Sequence, residues 1–395
     1  MSLRHLGCAV RRMPLLLATL LCLSLSHAAD LPDKPIAAAL QPFVDAHRLA
    51  GAVVLVAGRD RVLTTETVGY ADVAAQTPMK PDTLFWIASM SKAMTAAAVM
   101  ALVDDGKLSL DDPVAKYIPE YAGMKVGPRD ANDKTAPHAP AKPITLRQVL
   151  CHTSGMRFLN AAEHNVIDCA PLAESVKHDM AETLLFEPGT AYSYSNQGID
   201  TAGLVVQLVS GMSFEQFIAK RIFEPLGMSD TTFYPTTAAV ARLAKSYRPV
   251  KDQMAIEETK ITYLTYPLDG GNRHPSPGGG LFSTAADVAK FCQMLLNDGM
   301  AAGRRVLSSE SVAAMTRKQT EDAVKESYGL GLSVSPDTFG HGGAYATNMT
   351  VNRKLGVVTV FMVQHAGFPG DAGEMNRALY KAYGEVLAKD KPAGQ

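Results

Sequence analysis

Strand-forming sequence lies at the two ends of this chain and helix-forming sequence lies between them, which leaves few folds open. Near the start, a helical period over Pro35 to Leu49 precedes Gly51 to Ala57, a short buried-strand pattern. Gly58-Arg59-Asp60-Arg61 supplies a turn, and Val62 to Val68 a second strand. Near the end, Tyr328 to Val334, Tyr345 to Val351 and Gly356 to Val363 alternate or run apolar with β-branched residues, and Ala372 to Ala388 is an amphipathic helix. Between them lie helical stretches at Ala93 to Val103, Thr145 to Leu150, Gly198 to Val209, Phe214 to Phe223 and Ala285 to Leu296, the last with Ser283 as a good N-cap. The economical arrangement is an α/β (α+β) fold: one antiparallel sheet from both chain ends, flanked by the terminal helices, with an inserted helical domain. The expected division is a sheet domain over 29–88 and 325–395, a mainly helical domain over 89–324, and a cleft at their junction.

Composition narrows the function. A chain of 395 residues suits one large or two intermediate domains. Its formal charge of −1 carries no basic footprint, so nucleic acid is not an expected partner. Arg4, Arg11 and Arg12, an apolar run from Met13 to Leu25, and Ser26-His27-Ala28 read as a secretory signal peptide over 1–28. The expected location is periplasmic or secreted, with no stable membrane span after cleavage. Cys151, Cys169 and Cys292 remain, an odd number; a Cys151–Cys169 bridge is possible in an oxidising compartment.

The chemistry starts at Ser89 and Lys92, in Phe85-Trp86-Ile87-Ala88-Ser89-Met90-Ser91-Lys92. A spacing of three puts both side chains on one face of the helix that follows. A serine hydroxyl needs a base to take its proton, and a lysine desolvated by apolar neighbours can be that base. Alone, the pair fits an N-cap serine and a surface lysine equally.

Two further sites matter. Glu187-Pro188-Gly189 leads into Tyr192-Ser193-Tyr194-Ser195-Asn196 and a helix. Tyr194 could share a proton with Ser89 and Lys92, and Asn196 could bond Lys92 or a substrate amide; a packing tyrosine with an Asn cap is the plainer alternative. Gly340-His341-Gly342-Gly343-Ala344 opens a strand on which glycines permit close backbone approach, and an amide there can donate to an oxyanion. A glycine-rich bulge with a lone histidine has the same sequence.

Ser-x-x-Lys, then Tyr-x-Asn, then His-Gly-Gly, in this order, resemble the penicillin-recognising serine hydrolases, the group of class C β-lactamases, family VIII carboxylesterases and serine D,D-peptidases. Leu150-Cys151-His152-Thr153-Ser154-Gly155 and Gly278-Gly279-Gly280-Leu281-Phe282-Ser283-Thr284 look like the same family. The resemblance implies a β-lactamase/transpeptidase-like fold and an acyl-enzyme on Ser89. Lys92 and Tyr194 would share general-base duty, in an order left open. Asn196 would align substrate and Lys92, and His341 would line the cleft. Gly343 and Ala344 would belong to the oxyanion strand, with the amides of Ser89 and Ala344 as donors. No metal or cofactor is implied, and the partner is a small ester, amide or β-lactam.

One departure matters. Class C β-lactamases usually carry Lys-Thr-Gly where this chain has His341-Gly342-Gly343. A lysine is a permanent cation for the β-lactam carboxylate, whereas a histidine is mostly neutral near pH 7. That moves the expectation toward short-chain esters, with β-lactams or D-Ala-type peptides as the alternative. No Gly-x-Ser-x-Gly and no His-Glu-x-x-His occurs, which disfavours an α/β-hydrolase or a zinc hydrolase. His152 is expected to cap a helix end and brace the core.

Overall fold

The strand Gly51–Ala57 (β1) is buried along its whole length, because both faces of its sheet are covered. Ala52, Val54 and Val56 face one core and Val53, Leu55 and Ala57 face another, as the two-residue side-chain period requires. The computed structural model describes residues 33–128, 136–159 and 166–390. The signal peptide expected over 1–28, and residues 132–135 of the expected loop Asn132 to Pro143, lie outside the described residues.

β1 joins the two chain ends. It pairs with Val62–Asp72 (β2), which continues to Thr77–Pro78 (β3). On its other side come strands from the C-terminal part: Ser333–Val334 (β4), Thr338–Gly342 (β5), Asn348–Asn352 (β6) and Val357–Met362 (β7). The order is β4-β5-β6-β7-β1-β2-β3, antiparallel at every pairing. Helices Pro35–Asp45 (α1) and Ala372–Asp390 (α5) pack on one face, where Ile36, Leu40 and Phe43 meet Met375, Leu379 and Tyr383. The opposite face meets Ala285–Leu296 (α4) and the larger core built on Ser91–Asp104 (α2) and Asn196–Ser210 (α3). Residues Ser91 to Leu102 of α2 are all buried; a helix apolar on every side belongs inside a core. Among the described residues no single helix is long and apolar enough to cross a membrane.

The expected sheet from both chain ends with flanking terminal helices is present, but several elements differ. Of Tyr328 to Val334 only Ser333–Val334 is strand. Tyr328, Leu330 and Leu332 are buried as core side chains, and their apolar pattern reflects packing rather than pairing. The strand expected from Tyr345 begins at Asn348, because Gly343 N–H donates to Thr347 O (2.7 Å) and closes a turn first. His341 therefore sits at the end of β5, a strand not expected, instead of opening one. The cap of α4 is Thr284, whose side chain accepts from Asp287 N–H; Ser283 pairs with Phe85 in a small sheet. The helix from Phe214 is α-helical only to Ile218, then widens into a π turn over Ala219–Phe223. The Cys151–Cys169 bridge is not formed, and Cys151 and Cys292 are buried thiols.

Candidate active site

A bend delivers Ser89. The strand Phe85–Trp86 pairs with Phe282–Ser283, and the chain then turns at Ala88, whose φ is +46°. That left-handed conformation costs an L-residue about 1–2 kcal/mol and persists only where the surroundings hold it. Here Ile87 N–H donates to Leu281 O (3.0 Å), and Ser91 Oγ donates to Ala88 O (2.6 Å) while accepting from Leu281 N–H (3.2 Å). Trp86 Nε1 donates to Gly279 O (2.7 Å). Ser91, the motif's second hydroxyl, is thus a brace. Ser89 lies half-buried in a one-turn 3-10 helix, Ala88–Met90, and the N-cap of α2 is Met90 rather than a serine.

Lys92 is fully buried. Its Nζ donates to Ser89 Oγ (3.2 Å), Asn196 Oδ1 (2.6 Å) and Gly278 O (2.5 Å), one acceptor for each ammonium hydrogen. Desolvation disfavours the charged form and pulls its pKa from 10.5 to about 7, while the negative charge of Asp200 pushes the other way.

Tyr194 comes from the segment entering α3. Ser195 caps that helix, with Oγ accepting from Gly198 N–H (2.9 Å), so Asn196 becomes its first residue and reaches Lys92. Burial holds the Tyr194 pKa well above 10, with the neighbouring Ser89 hydroxyl pulling the other way. At neutral pH Tyr194 is a proton donor. The Lys92 ammonium position is 4.8 Å from the centre of its ring.

His341 closes the far side. Its Nδ1 is 2.6 Å from Gly342 O and its Nε2 is 2.8 Å from the Tyr328 hydroxyl. A carbonyl only accepts, so these partners assign the proton to Nδ1 and make Nε2 the acceptor for Tyr328. The Tyr194 hydroxyl lies 3.5 Å from the same nitrogen. Burial first, then the Lys92 charge, lowers the His341 pKa from 6.5 to about 4.

The backbone supplies donors. The 3-10 turn uses the amides of Met90 and Ser91 (to Ile87 O and Ala88 O) and leaves that of Ser89 at its open front. Gly343 N–H is spent on Thr347 O. The next amide, on exposed Ala344, has no protein acceptor among the described residues. Gly343 must be glycine: a Cβ there would stand 2.1 Å from Thr347 Oγ1 and 2.6 Å from Ile87 O. The structure therefore brings Ser89, Lys92, Tyr194, Asn196 and His341 together. Of the two residues expected on the oxyanion strand, Ala344 has the amide to give, and Gly343 permits the close approach.

His152, with φ of +64° just past the helix Leu146–Leu150, lies behind this group. Its Nδ1 accepts from Ser195 N–H (3.2 Å) and its ring packs 4.5 Å from that of Tyr194 and 4.7 Å from that of Tyr328, centre to centre. It braces the tyrosines, and burial keeps it neutral.

Sequence reasoning missed four contributors. Tyr328 had no spacing signal. The Gly278 carbonyl belonged to a noted glycine run, but backbone direction is not written in residue types. Asp200 could have been found: it is the single ionisable residue of its helix and lies one turn beyond Asn196. Finally, Arg273 and Asp168 form a buried ion pair at 2.7 Å, with side chains 1% and 0% exposed. Asp168 also accepts from Thr265 N–H, and Arg273 donates to Phe233 O and Leu268 O. The pair ties down the loop that ends in Gly278. Among the described residues no cluster of three or more His, Cys, Asp or Glu could hold a metal ion.

The Beta-lactamase family model matches residues 36–383. Protein Rv1367c of Mycobacterium tuberculosis is 33% identical over 362 residues, 83% of this chain and 89% of its own length. The lovastatin esterase of Penicillium rubens is 32% identical over 287 residues, covering 64% of this chain and 70% of that protein. Among solved structures, EstCE1, described as a hydrolase with promiscuous acyltransferase activity, matches with a TM-score of 0.74 at 24% identity, over 88% of this chain and 98% of that one, a likeness of fold. A family match along nearly all of the described chain, and a relative one-third identical over most of both lengths, mean that this protein belongs to the beta-lactamase family and is a serine hydrolase.

Proposed function

We propose that this serine hydrolase is a secreted or periplasmic carboxylesterase of short-chain esters, acting through an acyl-enzyme on Ser89. The observation that carries the ester reading is the neutral His341. With a pKa near 4 it offers no cation to a substrate carboxylate at neutral pH, and Gly342 has no hydroxyl to add. A neutral ester needs neither. The lovastatin esterase relative supports the same direction by its name. Secretion rests on the sequence pattern of residues 1–28.

Lys92 is the better first base. With a pKa near 7 a large share of it is neutral around that pH, whereas Tyr194 keeps its proton. Lys92 Nζ takes the Ser89 Oγ–H proton as Oγ bonds the ester carbonyl carbon. The Ser89 and Ala344 amides receive the oxyanion. The C–O bond to the alcohol breaks, Tyr194 donates its proton to the leaving oxygen, and the Lys92 ammonium returns one to Tyr194. Water then attacks the acyl-enzyme, giving its proton to the same base; the acyl C–Oγ bond breaks, the acid leaves, and the Lys92 ammonium returns the proton to Ser89 Oγ.

A panel of p-nitrophenyl acetate and butyrate, a chromogenic cephalosporin and a D-Ala-D-Ala peptide tests this. The esters should have the highest kcat/KM, and Ser89→Ala should abolish turnover. Preferred turnover of the cephalosporin or peptide would return the lactamase or peptidase reading, and an active Ser89→Ala would remove Ser89 from the mechanism.

A further inference from the structure

Asp200 is buried on α3, one turn after Asn196. Its Oδ1 accepts from Gly278 N–H at 2.8 Å and from Ser276 Oγ at 3.5 Å. The carbonyl of the same Gly278 accepts from Lys92 Nζ at 2.5 Å. Gly278 is thus held between a carboxylate and the catalytic amine. Its Cα also presses on Asn196, since a Cβ there would meet Asn196 Oδ1 at 3.1 Å. One residue is therefore in register with both partners of Lys92 on that side.

We infer that Asp200 is a positioning residue of the reaction: it fixes the Gly278 carbonyl against Lys92 Nζ and supplies the buried negative charge that faces the amine. The inference rests on Lys92 being the base. Around Lys92 stand Ser89 from its own turn, Asn196 and Asp200 from α3, Tyr194 from the segment before it, His152 from the turn after Leu150, and His341 from β5. Tyr194 holds its proton, and both histidines are neutral, their pKa values driven below 6.5 by burial and by Lys92 itself. Asp200 is the charge of opposite sign acting on the amine. An unopposed desolvation would leave Lys92 neutral but weakly basic, and a weak base draws the serine proton less well. Asp200 restores basicity without bonding to the amine's hydrogens, which stay on Ser89, Asn196 and Gly278.

The two roles separate by substitution in the full chain. Asp200→Asn keeps an oxygen for Gly278 N–H and removes the charge. The sign follows: without the carboxylate the ammonium form loses support, so the acid limb of kcat/KM for p-nitrophenyl butyrate should move down by on the order of one pH unit. Asp200→Ala also frees the Gly278 carbonyl, and kcat should fall by about 10²-fold. Asp200→Ser, smaller and neutral, carries the charge test should the carboxamide not fold. A second readout needs no substrate: ε-13C-lysine NMR, with the Lys92 signal identified by its loss in Lys92→Gln, should show the same downward shift. An unmoved Lys92 titration in the neutral variants overturns the inference. A shifted titration with an unmoved rate profile upholds the Asp200–Lys92 link and overturns Lys92 as the base.

Discussion

Two buried cation–carboxylate arrangements sit on the same loop and do different work. Arg273 and Asp168 touch directly at 2.7 Å, and the guanidinium spends its remaining bonds on Phe233 O and Leu268 O. Arginine does not release its proton, so this pair is a permanent strut. Lys92 hydrogen-bonds neutral oxygens only, and Asp200 meets it across the backbone of Gly278, holding the N–H while Lys92 holds the C=O. Desolvation lowers the amine to a pKa of about 7, and Asp200, a residue's width away, opposes it only in part. Direct contact locks a buried charge, whereas contact through an intervening residue leaves it negotiable. An acyl-transfer site needs the second, and the first keeps its loop in place.

The largest way to break this contrast is to remove the negotiable amine. Lys92→Ala should lower kcat/KM for p-nitrophenyl butyrate by about 10²–10⁴-fold with the fold intact by circular dichroism. Near-wild-type rates would move the base to Tyr194. Next comes the strut. Arg273→Met leaves Asp168 as an uncompensated buried charge and should cost about 3–5 kcal/mol of stability in urea unfolding. An unchanged midpoint would show that the loop is held by its apolar packing instead.

A finer test is pH. Lys92 must be neutral to accept the serine proton, so kcat/KM should rise with pH and level off above about 7, the value its burial sets. A limb near 4 would point to His341 as the titrating group. The smallest effect is expected at His341 itself. His341→Gln preserves a neutral side chain, and ester turnover should fall by less than about tenfold, the equivalent of one lost hydrogen bond. A collapse to the level of Lys92→Ala would mean that the imidazole moves protons.

Much of this was legible in the residues. β1 is apolar throughout and short enough to read as a strand, and α2 follows Ser89 as a run made almost entirely of Ala, Met, Val and Leu from Ala93 to Val103. The Ser89–Lys92 spacing and the Tyr194–Asn196 junction carried their own geometry, because helical period and capping are local. The misreadings have two causes. Tyr328, Leu330 and Leu332 read as strand because burial of alternate side chains in a core gives the alternation that pairing gives. His341 was read as opening a strand because glycines mark a bend without saying on which side of it the ladder lies.

The sequence by itself determined the sheet assembled from both chain ends, the Ser89–Lys92 pair, and the histidine that stands where class C β-lactamases usually carry lysine. These are local patterns or single side-chain identities. Only the tertiary structure decided what protonation each group holds and which backbone atoms serve it. Lys92 is poised because Gly278, Asn196 and Asp200 converge on it from 104 to 186 positions away. Ala344 rather than Gly343 has a free amide because Thr347 folds back to take the other. A pKa and an unspent hydrogen bond are properties of surroundings, and the surroundings exist only once the chain has closed on itself.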